Sequence, residues 1–122
     1  MSDRNVVVLR GTLTTEPRPR ALPSGTALVQ FDLTTRDDGG TQSVPVAWFD
    51  PPPAASALTA GEEVLVVGSV RRRFFRSGGV TQSRTEVVAT RVVPARRGRE
   101  VAKALAAVCR RLAGPVAGDA PA

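Results

Sequence analysis

Between Thr26 and Thr35 the chain alternates strictly: Ala27, Val29, Phe31 and Leu33 fall on one side, Leu28, Gln30, Asp32 and Thr34 on the other. A period of two is what a pleated strand with one buried face requires, and a helix cannot satisfy it. Four further short runs, at 5–14, 41–49, 62–75 and 80–93, are rich in Val, Leu and Phe and are bounded by turn residues. The boundaries are a connection at 16–25 with three prolines, the hairpin loop Arg36-Asp37-Asp38-Gly39-Gly40, Asp50 followed by three prolines, and the turn Ser77-Gly78-Gly79. Pro45 cannot donate to a ladder, so the third run should lie at an edge or carry a bulge there. Residues 54–59 suit a helical turn or two. Five strands in about 90 residues, with one short helical segment between the third and fourth, predict an all-β fold: a small Greek-key barrel.

After Pro94 the pattern changes. Residues 99–113 form a helix candidate stopped by Gly114-Pro115. Val101, Leu105, Val108 and Leu112 recur at helical spacing and give a narrow apolar seam, with Arg99, Lys103 and Arg110 opposite. The seam suits docking on the chain's own barrel or pairing with a sister helix. Cys109 flanks it and reads as a packed thiol. The expected organisation is a barrel domain over 1–93, then a basic amphipathic helix and a loose end over 94–122.

Composition removes several chemistries. With no His in the chain there is no His triad, no His zinc site and no imidazole acid–base catalysis. One Cys excludes a disulfide framework. Asp32, Asp37, Asp38 and Asp50 lack metal-ligand spacing, and Gly39-Gly40 and Gly78-Gly79 are hairpin turns rather than phosphate loops. The expectation is no enzyme, no metal and no cofactor. No apolar run reaches the about 18 residues a membrane span needs. Met1 to Asn5 lacks the shape of a signal peptide, so a cytoplasmic location is expected.

The charge points to a partner. Lys and Arg number 17 against 11 acids, for +6 and a pI near 11.4. Residues 1–93 hold 11 basic and 9 acidic side chains, and residues 94–122 hold 6 and 2, so the excess lies in the C-terminal quarter. It is also concentrated in the run Arg71, Arg72, Arg73 and Arg76. Such clustering suits a polyanion as well as a plain solvated surface.

Residue detail then gives a resemblance. Asn5-Val6-Val7-Val8-Leu9-Arg10-Gly11-Thr12-Leu13 resembles the opening strand of the bacterial single-stranded DNA-binding protein family. Leu22-Pro23-Ser24-Gly25-Thr26-Ala27 is similar to that family's turn into its second strand. The segment from Gly61 to Arg73 is similar to its fourth strand, with a G-x-x-V-x-V-x-G-x-V/L-R-x-R pattern, and Thr85-Glu86-Val87-Val88-Ala89 resembles its fifth. The resemblance implies an OB-fold barrel that binds single-stranded DNA with little sequence preference. It also implies assembly as a homo-oligomer, a tetramer or a dimer, built from dimers that pair through the first strand. The activity implied is binding, in replication, recombination or repair.

A sequence-tolerant binder needs cations for phosphates and flat side chains for bases, and Arg serves both. In the fourth run Arg71, Arg73 and Phe75 share one face by parity, and Arg72, Phe74 and Arg76 share the other. The resemblance places a stacking aromatic at Phe75. Arg71, Arg73 and Phe75 are therefore expected to face DNA, with Arg76 and Arg84 as phosphate contacts at the hairpin. In the third run Ser43, Pro45, Ala47 and Phe49 share a face, and the resemblance turns that face to DNA with Phe49 at a stacking position. Trp48 and Phe31 point inward by parity. Phe74 remains open between a role in binding and one in filling the barrel mouth.

The chain also departs from the family. Ser43 stands where a stacking Trp is common, and Pro45 where a basic residue is common. A binder more dependent on charge, and weaker, is expected. Asp119 is the only acid after Glu100, which puts recruitment through an acidic tip in doubt. The helix is a candidate site for DNA, for a sister chain or for a protein partner. The alternative reading is an OB-fold paralogue that works as a protein–protein module with weak or no DNA binding. RNA on the same surface also remains open.

Overall fold

The computed structural model describes residues 3–114. Six strands follow one another: β1 (Val7–Leu13), β2 (Arg18–Ala21), β3 (Ala27–Asp37), β4 (Gly40–Phe49), β5 (Glu63–Ser77) and β6 (Val80–Pro94). A 3-10 turn at Pro53–Ala57 lies between β4 and β5, and α1 (Gly98–Leu112) ends the described chain. The sheet order is β1-β5-β6-β4-β3-β2, and a second pairing of β1 with β3 closes it. The ring β1-β5-β6-β4-β3 is a five-stranded Greek-key barrel of the OB type. Its interior is filled by the predicted alternating side chains, Val29, Phe31 and Leu33, together with Leu13, Val46, Trp48, Val64, Val66, Val87 and Ala89.

The sixth strand, β2, lies where a turn-rich connection was expected. It continues the edge begun by β1: Leu13 faces Leu33, and then Arg18, Pro19 and Arg20 face Gln30, Val29 and Leu28. Its proline does no harm. The Leu22 amide donates to the Thr26 carbonyl, so hydrogen-bonded pairs fall at even positions and Pro19 occupies a site where no amide is needed. The same logic seats Pro45. The Asp50 amide donates to the Ala27 carbonyl, which makes Asp32–Pro45 a non-hydrogen-bonded pair. The proline nitrogen then faces away from β3, on the side where pairing with β6 begins only at Val46.

The helix docks on its own barrel. Ala104 and Val108 are buried against Leu65, Val67 and Val93, with Val101 and Val6 at the margin. The expected seam is thus shifted: Leu105 and Leu112 remain 39% and 55% exposed. Ala104 lets the helix approach the sheet closely, and the leucines ride one flank. Cys109 is exposed rather than packed, because it lies a further 100° round from Val108. The Arg4 Nε donates to the Arg111 carbonyl at 3.2 Å and fastens the start of the chain to the end of the helix. The loose end expected at 115–122 lies outside the described residues. No helix among the described residues is long and apolar enough to cross a membrane.

Candidate nucleic-acid interface

The strand register defines one continuous outer face. Arg18 pairs with Gln30, Gln30 with Ala47, Ala47 with Val88, and Val88 with Ser69, a row across five strands. Residues two positions along each strand share its face. On one side the next row is Arg20, Leu28 and Phe49. On the other side come Glu86–Arg71, then Arg84–Arg73, then Gln82–Phe75. Phe49, Arg71, Arg73, Phe75 and Arg84 therefore look out from the same face. Phe49 and Phe75 stand four rows apart, roughly 25 Å along the strands. Asp50, with φ 48°, turns the chain out of the sheet directly after Phe49, a left-handed conformation that Asp tolerates.

Most of this face lies on an arm. From Arg71 to Thr85 every residue is exposed, so the outer part of β5–β6 projects beyond the barrel. Gly78 and Gly79 have φ 60° and 78°, as the tight turn joining two twisted strands demands. A bulge opens at the root of the arm: Val67 faces Arg91 while Gly68 faces Ala89, leaving Thr90 unpaired. The Thr90 hydroxyl donates to the Val67 carbonyl at 3.1 Å, and Gly68 lies so close to Val88 that a Cβ there would run into its carbonyl.

The charges on the arm are crowded. Five arginines share it with one acid, Glu86. Arg73 stands directly opposite Arg84, a like-charge pairing that is unfavourable without a counter-ion. Glu86, only 6% exposed, relieves part of this with a carboxylate oxygen 3.6 Å from Arg73 Nη2. The Arg73 guanidinium also lies over the Phe75 ring, 5.8 Å from its centroid. Phe75 is 38% exposed and Phe74 is 66% exposed, so neither ring fills the barrel mouth. Phe49 is half-exposed, whereas Trp48 and Phe31 are buried, as parity predicted.

Arg76 is set apart from the other candidates. It lies on the opposite face of the arm with Arg72 and Phe74, and its Nη2 donates to the Gly79 carbonyl at 2.9 Å. Two cations missed in the sequence join the main face, Arg18 and Arg20 on β2. Their signal was the alternation Pro17-Arg18-Pro19-Arg20, itself a period of two. Arg20 Nη1 donates to Gln30 Oε1 at 3.3 Å. A separate cavity of about 600 Å³ lies away from the arm, beside Trp48 and Leu58. Four of the charges on its rim are paired, Arg96 with Glu62 at 2.7 Å and Arg97 with Glu100 at 3.5 Å, and Asp50 and Arg91 also line it. No cluster of metal-ligating side chains occurs among the described residues.

The family model of the single-strand binding protein family matches residues 4–94. The chain belongs to this family. Members are DNA-binding proteins rather than enzymes, and membership supports single-stranded DNA binding in general. Among solved structures, the chain is similar to a deletion mutant of the single-stranded DNA binding protein from Thermus aquaticus, with 29% identity and a TM-score of 0.61. That match covers 75% of this chain and 40% of the other, so this chain spans well under half of that protein's length. It is also similar in fold to the Plasmodium falciparum SSB in its complex with ssDNA, at 20% identity and a TM-score of 0.67, over 77% of this chain and 97% of that one. No curated protein matches the sequence.

Proposed function

We propose that the outer face of β4 and the β5–β6 arm binds single-stranded DNA with little sequence preference. Phe75 and Phe49 stack bases there, and Arg71, Arg73 and Arg84 hold phosphates; Arg76, expected as a phosphate contact at the hairpin, lies on the opposite face of the arm and is outside this track. The observation that carries this reading is the exposed Phe75 ring beneath Arg73, which itself stands opposite Arg84. An exposed ring beside guanidinium groups that one carboxylate neutralises only in part has little use in a monomer, but a polynucleotide satisfies both. Each stacked base is worth about 1–3 kcal/mol, and each phosphate contact adds a term that salt weakens. The face has only two rings, with Ser43 and Pro45 between them where a further platform would lie. Charge therefore carries most of the binding.

A homo-oligomer, dimer or tetramer, fits the open edge of β1. Val7 to Gly11 pair with β5 on one side, while pairing with β3 begins only at Thr12. The role that follows is the handling of exposed strands in replication, recombination or repair. The test is a titration with labelled oligo-dT, the matching duplex and oligo-U over a salt series. Preference for the single strand over the duplex, with affinity falling steeply as salt rises, is expected. Equal or absent binding of the single strand at low salt would leave the protein–protein module as the better reading.

A further inference from the structure

We propose that the second face of the arm is an additional single-strand track, so that one chain holds two stretches of single strand at once, one on each side of β5–β6. The proposal rests on the single-strand reading of the first face and extends it. The register places Arg72 opposite Thr85, Phe74 opposite Ser83 and Arg76 opposite Thr81, all on the side away from Phe75. All six residues are exposed, and at 66% Phe74 is more exposed than Phe75 at 38%.

The chemistry of this side favours a polyanion. It carries two arginines and no acid, since Glu86 belongs to the other face. Arg72 makes no ion pair among the described residues, and Arg76 uses one donor of its fork on the Gly79 carbonyl. Thr81, Ser83 and Thr85 line the partner strand with hydroxyls that donate to phosphate oxygens. A protein partner seated over Phe74 would need an apolar surround, yet the only other exposed apolar side chain here is Val70 at the root. An isolated ring between cations suits a base with its phosphates. The arm is one two-stranded layer thick. A strand running along one face over about 20 Å does not reach the other, which makes the tracks separate.

The experiment uses the full chain and a short labelled dT8 strand. Native mass spectrometry counts strands bound per chain, whatever the number of chains in the assembly. Wild type is expected to take two strands per chain. R72A/F74A and, separately, Ser83→Glu are expected to drop to one strand per chain, while first-site affinity stays within about twofold. R73A/F75A should also drop to one, with first-site affinity down about fivefold to 150-fold, the equivalent of one stacked base. Saturation of wild type at one strand overturns the second track alone. So does an equal fall in first-site affinity for R72A/F74A and R73A/F75A. Failure of wild type to bind dT8 at low salt overturns the single-strand reading itself, and the second track with it.

Discussion

Arg73 faces Arg84 across the β5–β6 arm, and the nearest acid to that pair, Glu86, is almost buried while both arginines are exposed. The arm thus carries repulsion in the free protein that a bound anion would relieve. Removing the carboxylate should separate stability from binding. Glu86→Gln is expected to lower folding stability by up to about 1 kcal/mol, because the Arg73 partner is half in solvent. The same change should tighten oligo-dT binding at low salt by up to about fivefold. Thermal melting and anisotropy titration on the same preparation check both signs.

Truncating the ring beneath Arg73 tests stacking directly. Phe75→Ala should weaken oligo-dT binding by about 1–3 kcal/mol. Its melting temperature should stay close to wild type, since the ring is 38% exposed and lies on the arm. Anisotropy at fixed salt, with a melting curve as control, makes the measurement.

The arginines should be read through the salt slope. Three phosphate contacts on the main face, at Arg71, Arg73 and Arg84, give a slope of log K against log salt of about −2 for a single strand. Each single Arg→Ala change should flatten it by about 0.7. A titration series from low to moderate salt supplies the slopes. A wild-type slope near zero would leave these side chains without phosphates to hold.

Trp48 is the sole tryptophan, and its place in the core makes it a poor reporter of stacking. Its emission should change little when oligo-dT binds. Trp48→Ala should cost about 3–5 kcal/mol of stability, as expected for a large side chain taken from a packed interior. Chemical denaturation of the variant measures that loss.

The helix should behave as part of the barrel. Val108→Asp would set a charge against Leu65, Val67 and Val93. A loss of about 3 kcal/mol or more is expected, together with dye binding to the uncovered sheet. Melting and a hydrophobic-dye assay report both.

Much of this was legible from residue order because local rules dominate strands. Alternation put Phe31 and Trp48 inside, and the glycine turn at Gly78-Gly79 located the hairpin. Parity also separated Arg71, Arg73 and Phe75 from Arg72, Phe74 and Arg76. Other features depend on non-local contacts. That Phe49 and Phe75 share a face follows from the parallel pairing of β4 with β6, which no local pattern encodes. The strand β2 was hidden because prolines signal turns, and only its partner shows that Pro19 needs no donor. The seam of α1 was legible as a stripe, but which flank meets the sheet was set by Ala104, whose small size says little in a sequence.

The unpaired Thr90 has a wider consequence. Beyond it, β6 exchanges inside for outside relative to its own C-terminal end: Val87 and Ala89 enter the core on one side of the bulge, Val92 on the other. It acts as a phase shifter. Losing that extra residue would turn Glu86 and Arg84 to the far side of the arm and, in the same step, Val87 and Ala89 out of the core. One inserted residue thus ties the charge pattern of the arm to the packing of the barrel, so neither can change phase without the other.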